Sequence, residues 1–181
     1  MKNSSPPDLP NRRMVGFSGH RRLPEPQKIA DAIAAELKDL QFMNPGGLAA
    51  ISSIASGGDT LFAQQALKAG LPWVALLPFP RAEFRKDFDE LEWQAAEECL
   101  SRAIAEEVWS PAANRPDAYL ELGIATVDRS DVLFAAWDGA PARGRGGTAE
   151  MVAHARECHK PLVWIHSNTG RVSRENWPPS T

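Results

Sequence analysis

Short apolar runs alternate along this chain with stretches whose apolar residues recur every three or four positions, and that switch of period restricts the fold more than any other feature. A first run, Met14 to Phe17, precedes a helix-spaced set, Ile29, Ile33, Leu37 and Leu40, with Gly46-Gly47 beyond it as a stop. Ala49 to Ala55 and Trp73 to Leu77 read as the next strands, separated by a helix from Leu61 to Ala69 that ends at Gly70. Phe84, Phe88, Leu91 and Ala95 predict one helix over Phe84 to about Ala105, followed by a short strand at Glu107 to Trp109. Leu120, Ile124 and Val127 mark another helix. Val132 to Ala136 and Leu162 to Ile165 are the last strands, with a helix from Thr148 to about Cys158 between them. Such alternation predicts an α/β chain: a Rossmann-like, doubly wound, mostly parallel sheet of five to seven strands with helices on both faces.

With 181 residues, the chain fits one domain, placed here at residues 13–166. Residues 1–12, with three prolines between Ser4 and Pro10, form an N-terminal segment without enough apolar surface to order itself. Residues 167–181 read as a similar C-terminal tail, in which Trp177 is the one candidate for docking. No run approaches the roughly 18 apolar residues of a membrane span, and Met1 to Arg13 carries no apolar secretory signal, so a cytoplasmic location is expected. Twenty Lys+Arg against 23 Asp+Glu leave a net charge of −3, which argues against nucleic acid as a partner but leaves room for a local basic pocket. Cys99 and Cys158 form no Cys-x-x-Cys pair and read as reduced, mostly buried thiols and not as a disulfide framework. No metal is expected, since His154, His159 and His166 lack the spacing of a helical His pair and stand beside no cysteines placed as ligands. A Gly-x-x-x-x-Gly-Lys-Ser/Thr loop and a Gly-x-Gly-x-x-Gly turn are both missing, so neither an ATPase nor a nicotinamide dehydrogenase is indicated and no cofactor is assigned.

In a parallel sheet the loops after the strands' carboxyl ends all open on one side, and ligands bind there. Three of these loops are rich in small residues. The first reads Ser18-Gly19-His20-Arg21-Arg22, and the second Ser56-Gly57-Gly58-Asp59-Thr60. The third starts at Trp137-Asp138-Gly139 and reaches a helix through Gly146-Gly147-Thr148-Ala149-Glu150. Glycine lets backbone N–H groups approach an anion, a helix N-terminus adds positive partial charge, and Arg21 offers a planar donor fork for phosphate. Together they suggest a pocket for a nucleotide or a ribosyl phosphate. Structural roles compete at each position. Asp59 and Thr148 are good helix caps, Glu150 suits a first helical turn, and His20 could simply pack beside its turn. Tyr119 is either a packed helix residue or a base-stacking one, and Arg143 and Arg145 either close over a ligand or are solvated loop charges.

Four segments carry a resemblance: Ser18-Gly19-His20-Arg21, Ser56-Gly57-Gly58-Asp59, Leu77-Pro78-Phe79-Pro80 with Phe84-Arg85-Lys86-Asp87-Phe88, and Gly146-Gly147-Thr148-Ala149-Glu150. They resemble the SLOG superfamily, which includes the LOG-type cytokinin-activating phosphoribohydrolases and the Rossmann domain of DNA-processing protein A. Asp131 to Ile165 is also similar to nucleoside 2-deoxyribosyltransferases. The resemblance spans roughly Met14 to Ile165. It implies a nucleotide pocket, a homodimer or higher homo-oligomer, and, in the enzymatic branches, hydrolysis of the bond between base and sugar. Glu150 would be the catalytic glutamate. Asp59 or Asp138 would hold sugar hydroxyls or protonate the base. Arg21 and the Gly57, Gly58, Gly146 and Gly147 backbone would hold a phosphate. The phosphoribohydrolase motif runs Pro-Gly-Gly-x-Gly-Thr-x-x-Glu, whereas this chain lacks the proline and places the acid one residue sooner, about 100° around the helix. The alternative function is a non-catalytic sensor of a nucleotide signal acting through a protein partner.

Overall fold

A computed structural model describes residues 9, 12–109, 114–142 and 144–177. Arg143 and most of the N-terminal segment, residues 1–12, lie outside the described residues. β1 (Arg13–Gly19) leads through α1 (Pro26–Met43), β2 (Leu48–Ser52) and α2 (Gly58–Lys68) to β3 (Trp73–Leu77). α3 (Arg81–Phe84), a 3₁₀ turn (Arg85–Asp87) and α4 (Glu90–Leu100) then precede β4 (Ala105–Val108). After α5 (Arg115–Arg129) come β5 (Val132–Trp137), α6 (Thr148–Glu157), β6 (Leu162–His166) and β7 (Val172–Glu175).

Among the described residues these strands form one seven-stranded sheet in the order β4-β3-β2-β1-β5-β6-β7, parallel except at β7. The chain winds outward from β1 to β4, then returns to lay β5 on the other side of β1. Right-handed crossovers therefore put α1, α2 and α4 on one face and α5 and α6 on the other. Alternate residues of a strand serve the two faces. Val132, Phe134 and Ala136 join the core under α1 and α2, while Leu133, Ala135 and Trp137 pack beneath α5 and α6. Phe62 of α2 is fully buried, stacked on Phe17 at 4.7 Å and edge-on to Phe134 at 6.3 Å. Its burial contributes about 3 kcal/mol.

Two expectations are corrected. The single helix expected from Phe84 to Ala105 is broken, because Phe88 is extended (φ −125°) and Asp89 starts a new helix. Asp89 accepts the Glu92 N–H at 2.8 Å, and Glu92 in turn accepts the Asp89 N–H at 3.0 Å, which makes a capping box. The tail expected to stay unpaired after residue 166 instead supplies β7, antiparallel to β6.

Ion pairs hold both edge strands. In β7, Arg174 forks onto Glu36 of α1 at 2.8 Å, and Glu175 meets Arg156 of α6 at 2.7 Å. In β4, Glu106 pairs with Arg81 of α3 and Glu107 with Arg129 of α5 at 2.7 Å. Glu36 is 6% exposed, so removing its partner strands a buried carboxylate. Arg174→Ala is expected to cost about 2 kcal/mol in urea unfolding. A loss below about 0.5 kcal/mol would mean that β7 is held by its backbone ladder alone.

Candidate functional site

The reversal of strand order between β1 and β5 leaves a crevice at their carboxyl ends, and a cleft of about 440 Å³ occupies it. The loop after β1 contributes Ser18, Gly19, His20 and Arg21 to its lining. α2 contributes Asp59, the end of β5 contributes Asp138, and the α6 turn contributes Gly146, Gly147 and Thr148. Nine of the thirteen expected site residues therefore converge. Ser56, Gly57, Gly58 and Glu150 are not part of the lining.

Packing accounts for the four that lie outside. Gly57 has φ +85°, and a Cβ there would sit 2.1 Å from the Arg21 carbonyl oxygen. Gly58 donates its N–H to the His20 carbonyl at 3.0 Å and leaves room for the backbone of Gly19. These glycines press the β1 loop against α2. The Ser56 hydroxyl donates to Glu92 of α4. Glu150 turns back on its own helix. Its carboxylate accepts the N–H groups of Gly146 and, at 3.2 Å, Gly147. Those amides already hold an anion, which leaves Thr148 and Ala149 as the opening amides of α6 without an intrahelical acceptor.

Asp59 is the most perturbed group in the cleft. It is the second residue of α2, and its Oδ1 accepts the Gly19 N–H at 3.2 Å. Burial pushes its carboxyl up to about 7, outweighing the Gly19 N–H, the Arg21 guanidinium and the Ala55 amide, which all favour the charged form. A carboxyl half-protonated near neutrality can give or take a proton. Nearby, His20 Nε2 and Asp138 Oδ1 lie 3.8 Å apart, bringing the loops of adjacent strands face to face.

Tyr119 forms part of the α5 wall, with the Arg21 guanidinium over its ring at 5.2 Å. Its hydroxyl donates to Asp87, which Arg115 also holds at 2.7 Å. Burial, then this bond to Asp87, pushes the phenol up to about 12, so it stays a donor at neutral pH. Arg145 lines the mouth and pairs with Asp117 at 2.6 Å.

Sequence reasoning overlooked Ser53, which it placed inside a strand. The residue is part of the cleft lining, and its buried hydroxyl is, among the described residues, the one buried side-chain oxygen or nitrogen without a protein partner. The signal available was the Ser52-Ser53 pair closing an apolar run: Ser52 is satisfied by Trp73 Nε1 at 3.0 Å, whereas Ser53 faces the crevice. Gly123 was also overlooked. A Cβ there would lie 2.3 Å from Met151 Sδ, so its absence lets α5 and α6 close behind the cleft.

A doubly wound sheet with a loop-built cleft at its switch point defines a Rossmann-like domain. Among solved structures, the chain is similar over 87% of its length to DNA processing protein A (DprA) from Streptococcus pneumoniae, with a TM-score of 0.61 and 15% identity. It spans about half of that protein's chain (51%). TM1055, a structural-genomics target, matches over 87% of this chain and 76% of its own, with a TM-score of 0.55 and 15% identity. At 15% identity these likenesses show the fold alone: the Rossmann-like, mostly parallel α/β domain expected from the sequence. No protein-family model matches the sequence, and no curated protein matches it. Among the described residues no helix is long and apolar enough to cross a membrane.

Proposed function

We propose that the cleft binds a nucleotide or a nucleotide-derived ribosyl phosphate. The observation that carries this reading is the convergence, at one switch point, of Arg21, the opening amides of α6 and the proton-poised Asp59. In this reading Arg21 and the Thr148 and Ala149 amides take the phosphate, and Asp59 and the unpartnered Ser53 hydroxyl take ribose hydroxyls. Tyr119 and Trp137 supply apolar wall. Glu150, occupied by two amides, favours binding without cleavage by that residue, as a nucleotide sensor would require.

A second reading, hydrolysis of the N-glycosidic bond, is favoured by Asp59 itself. A carboxyl near pKa 7 can protonate a departing base, and in its ionised form it can stabilise positive charge on the sugar. The name DNA processing protein A brings in nucleic acid as a further ligand class, which the net charge of −3 disfavours.

Native mass spectrometry with nucleoside monophosphates, cyclic nucleotides, NAD and ADP-ribose tests the reading. Retention of one intact ligand per chain is expected, with binding about 10–100-fold weaker in Arg21→Ala and unchanged in Glu150→Gln. Free base or ribose phosphate formed by the parent but not by Asp59→Asn would establish hydrolysis. Retention of single-stranded DNA, or of nothing in the panel, would overturn the proposal.

A further inference from the structure

Away from the cleft, the carboxyl ends of α5 and α6 bring together Asp128, in the last turn of α5, with His154 and Cys158. His154 and Cys158 are four residues apart, one helical turn, with Cys158 at the C-cap of α6. Asp128 Oδ1 lies 2.7 Å from His154 Nε2, and Cys158 Sγ lies 3.8 Å from the same nitrogen. All three donor atoms fall within 4.8 Å of one another. A nucleophile–base–acid relay uses the two ring nitrogens of histidine for its two neighbours. Here one nitrogen faces both, so the three donors converge on a common point, as ligands do around a cation.

We propose that Asp128, His154 and Cys158 bind a divalent cation of the zinc class, with the fourth tetrahedral position open to solvent or to an added ligand. One carboxylate, one imidazole and one thiolate form a donor set suited to zinc or cobalt and poorly suited to magnesium or calcium. Metal–ligand bonds of about 2.0 Å to nitrogen and oxygen and about 2.3 Å to sulfur require donor separations of about 3.3–3.6 Å. Reaching them takes an opening of about 0.6 Å between Asp128 and His154 and a small closure of the thiol, within reach of modest side-chain rotations at this surface. Cys99 is buried as expected, but Cys158, at the end of α6, is exposed, as is Asp128, so the site has an entry path.

The surroundings are compatible with a cation. The Lys160 ammonium donates to the backbone carbonyls of Asp128 at 3.1 Å and Ser130 at 2.6 Å, while the Asp128 carboxylate meets His154. The ends of both helices add negative partial charge on this side. On binding, the thiol of Cys158 gives its proton to the buffer, and the Nε2 proton that His154 turns toward the Asp128 carboxylate is released or carried on Nδ1 instead, which frees the Nε2 lone pair for the metal. The bound ion would tie α5 to α6.

The test uses the untagged full chain, stripped of metal and titrated with cobalt(II). The expected result is a thiolate-to-cobalt charge-transfer band that saturates at one ion per chain and disappears when zinc is added. Cys158→Ser should abolish the band although Cys99 remains, and His154→Asn and Asp128→Asn should each weaken binding by about 100-fold. Four results would overturn the proposal: no saturable band, a band that survives Cys158→Ser, unchanged affinity in both the His154 and Asp128 variants, or saturation at one ion per two chains. Circular dichroism of each variant separates loss of the site from loss of the fold.

Discussion

Gly57→Ala is expected to cost about 3–5 kcal/mol of folding stability, seen in denaturant unfolding, with a melting temperature lower by roughly 10 °C. The residue sits at φ +85° and ψ −117°, a conformation that side chains rarely adopt and that alone costs about 1–3 kcal/mol. An alanine Cβ would also meet the carbonyl oxygen of Arg21 at 2.1 Å and its carbon at 2.5 Å. Both are backbone atoms, so no rotamer change relieves the clash, and the β1 loop must lift away from α2. That displacement separates Arg21 from Asp59, so ligand binding should fall with stability. Gly70→Ala is the matched control. Gly70 is also at positive φ, +73°, but a Cβ there meets nothing within 4 Å, and about 1 kcal/mol is expected. Equal losses at the two sites would show that conformational strain, and not the Arg21 contact, sets the cost.

Asp59→Asn is expected to stabilise the protein, and more so as pH rises. In the folded state the carboxyl holds its proton up to about pH 7, against an ordinary value of 3.8. Between those values the folded state binds more protons than the unfolded state, so stability attributable to this group falls as pH rises and is fully lost above pH 7. About three units correspond to a ceiling of about 4 kcal/mol, and because Asp59 is only partly buried roughly 2–3 kcal/mol is the expected size. Asparagine keeps an acceptor for the Gly19 N–H and carries no charge. The two proteins should unfold alike at pH 4, with the variant more stable by roughly 2–3 kcal/mol at pH 8. A difference that does not change with pH would remove the raised carboxyl from the account of this site. A gain in stability joined to loss of ligand chemistry is the trade expected where a group is kept for function.

The central strands were legible because parallel strands buried on both faces are written as unbroken apolar runs. Trp73–Leu77 and Val132–Trp137 are buried at every position. β7 was not legible. Its sequence, Val-Ser-Arg-Glu, has no apolar period, and it is held by a backbone ladder and by Arg174 reaching Glu36, 138 residues away. Within the site, residue types and their meeting at one sheet edge followed from the turns, whereas directions depended on single-residue register. Thr148 was the expected cap of α6, but Gly147 is the cap. That shift makes Glu150 the third helical residue, the position from which a glutamate folds back on the amides that open its helix. The one-turn spacing of His154 and Cys158 was present in the sequence, but Asp128 comes from another helix, and only the packing of α5 on α6 brings it within reach.

Each border strand of the sheet is fastened to both helical layers by consecutive residues: Glu106 and Glu107 on one margin, Arg174 and Glu175 on the other. An exposed β margin is a template for fibril growth, and charged residues fastened along it repel a would-be neighbour. The molecule therefore hems its sheet against polymerisation at both sides, and a second copy would have to meet the helical surfaces, where Phe42 and Leu91 stand exposed.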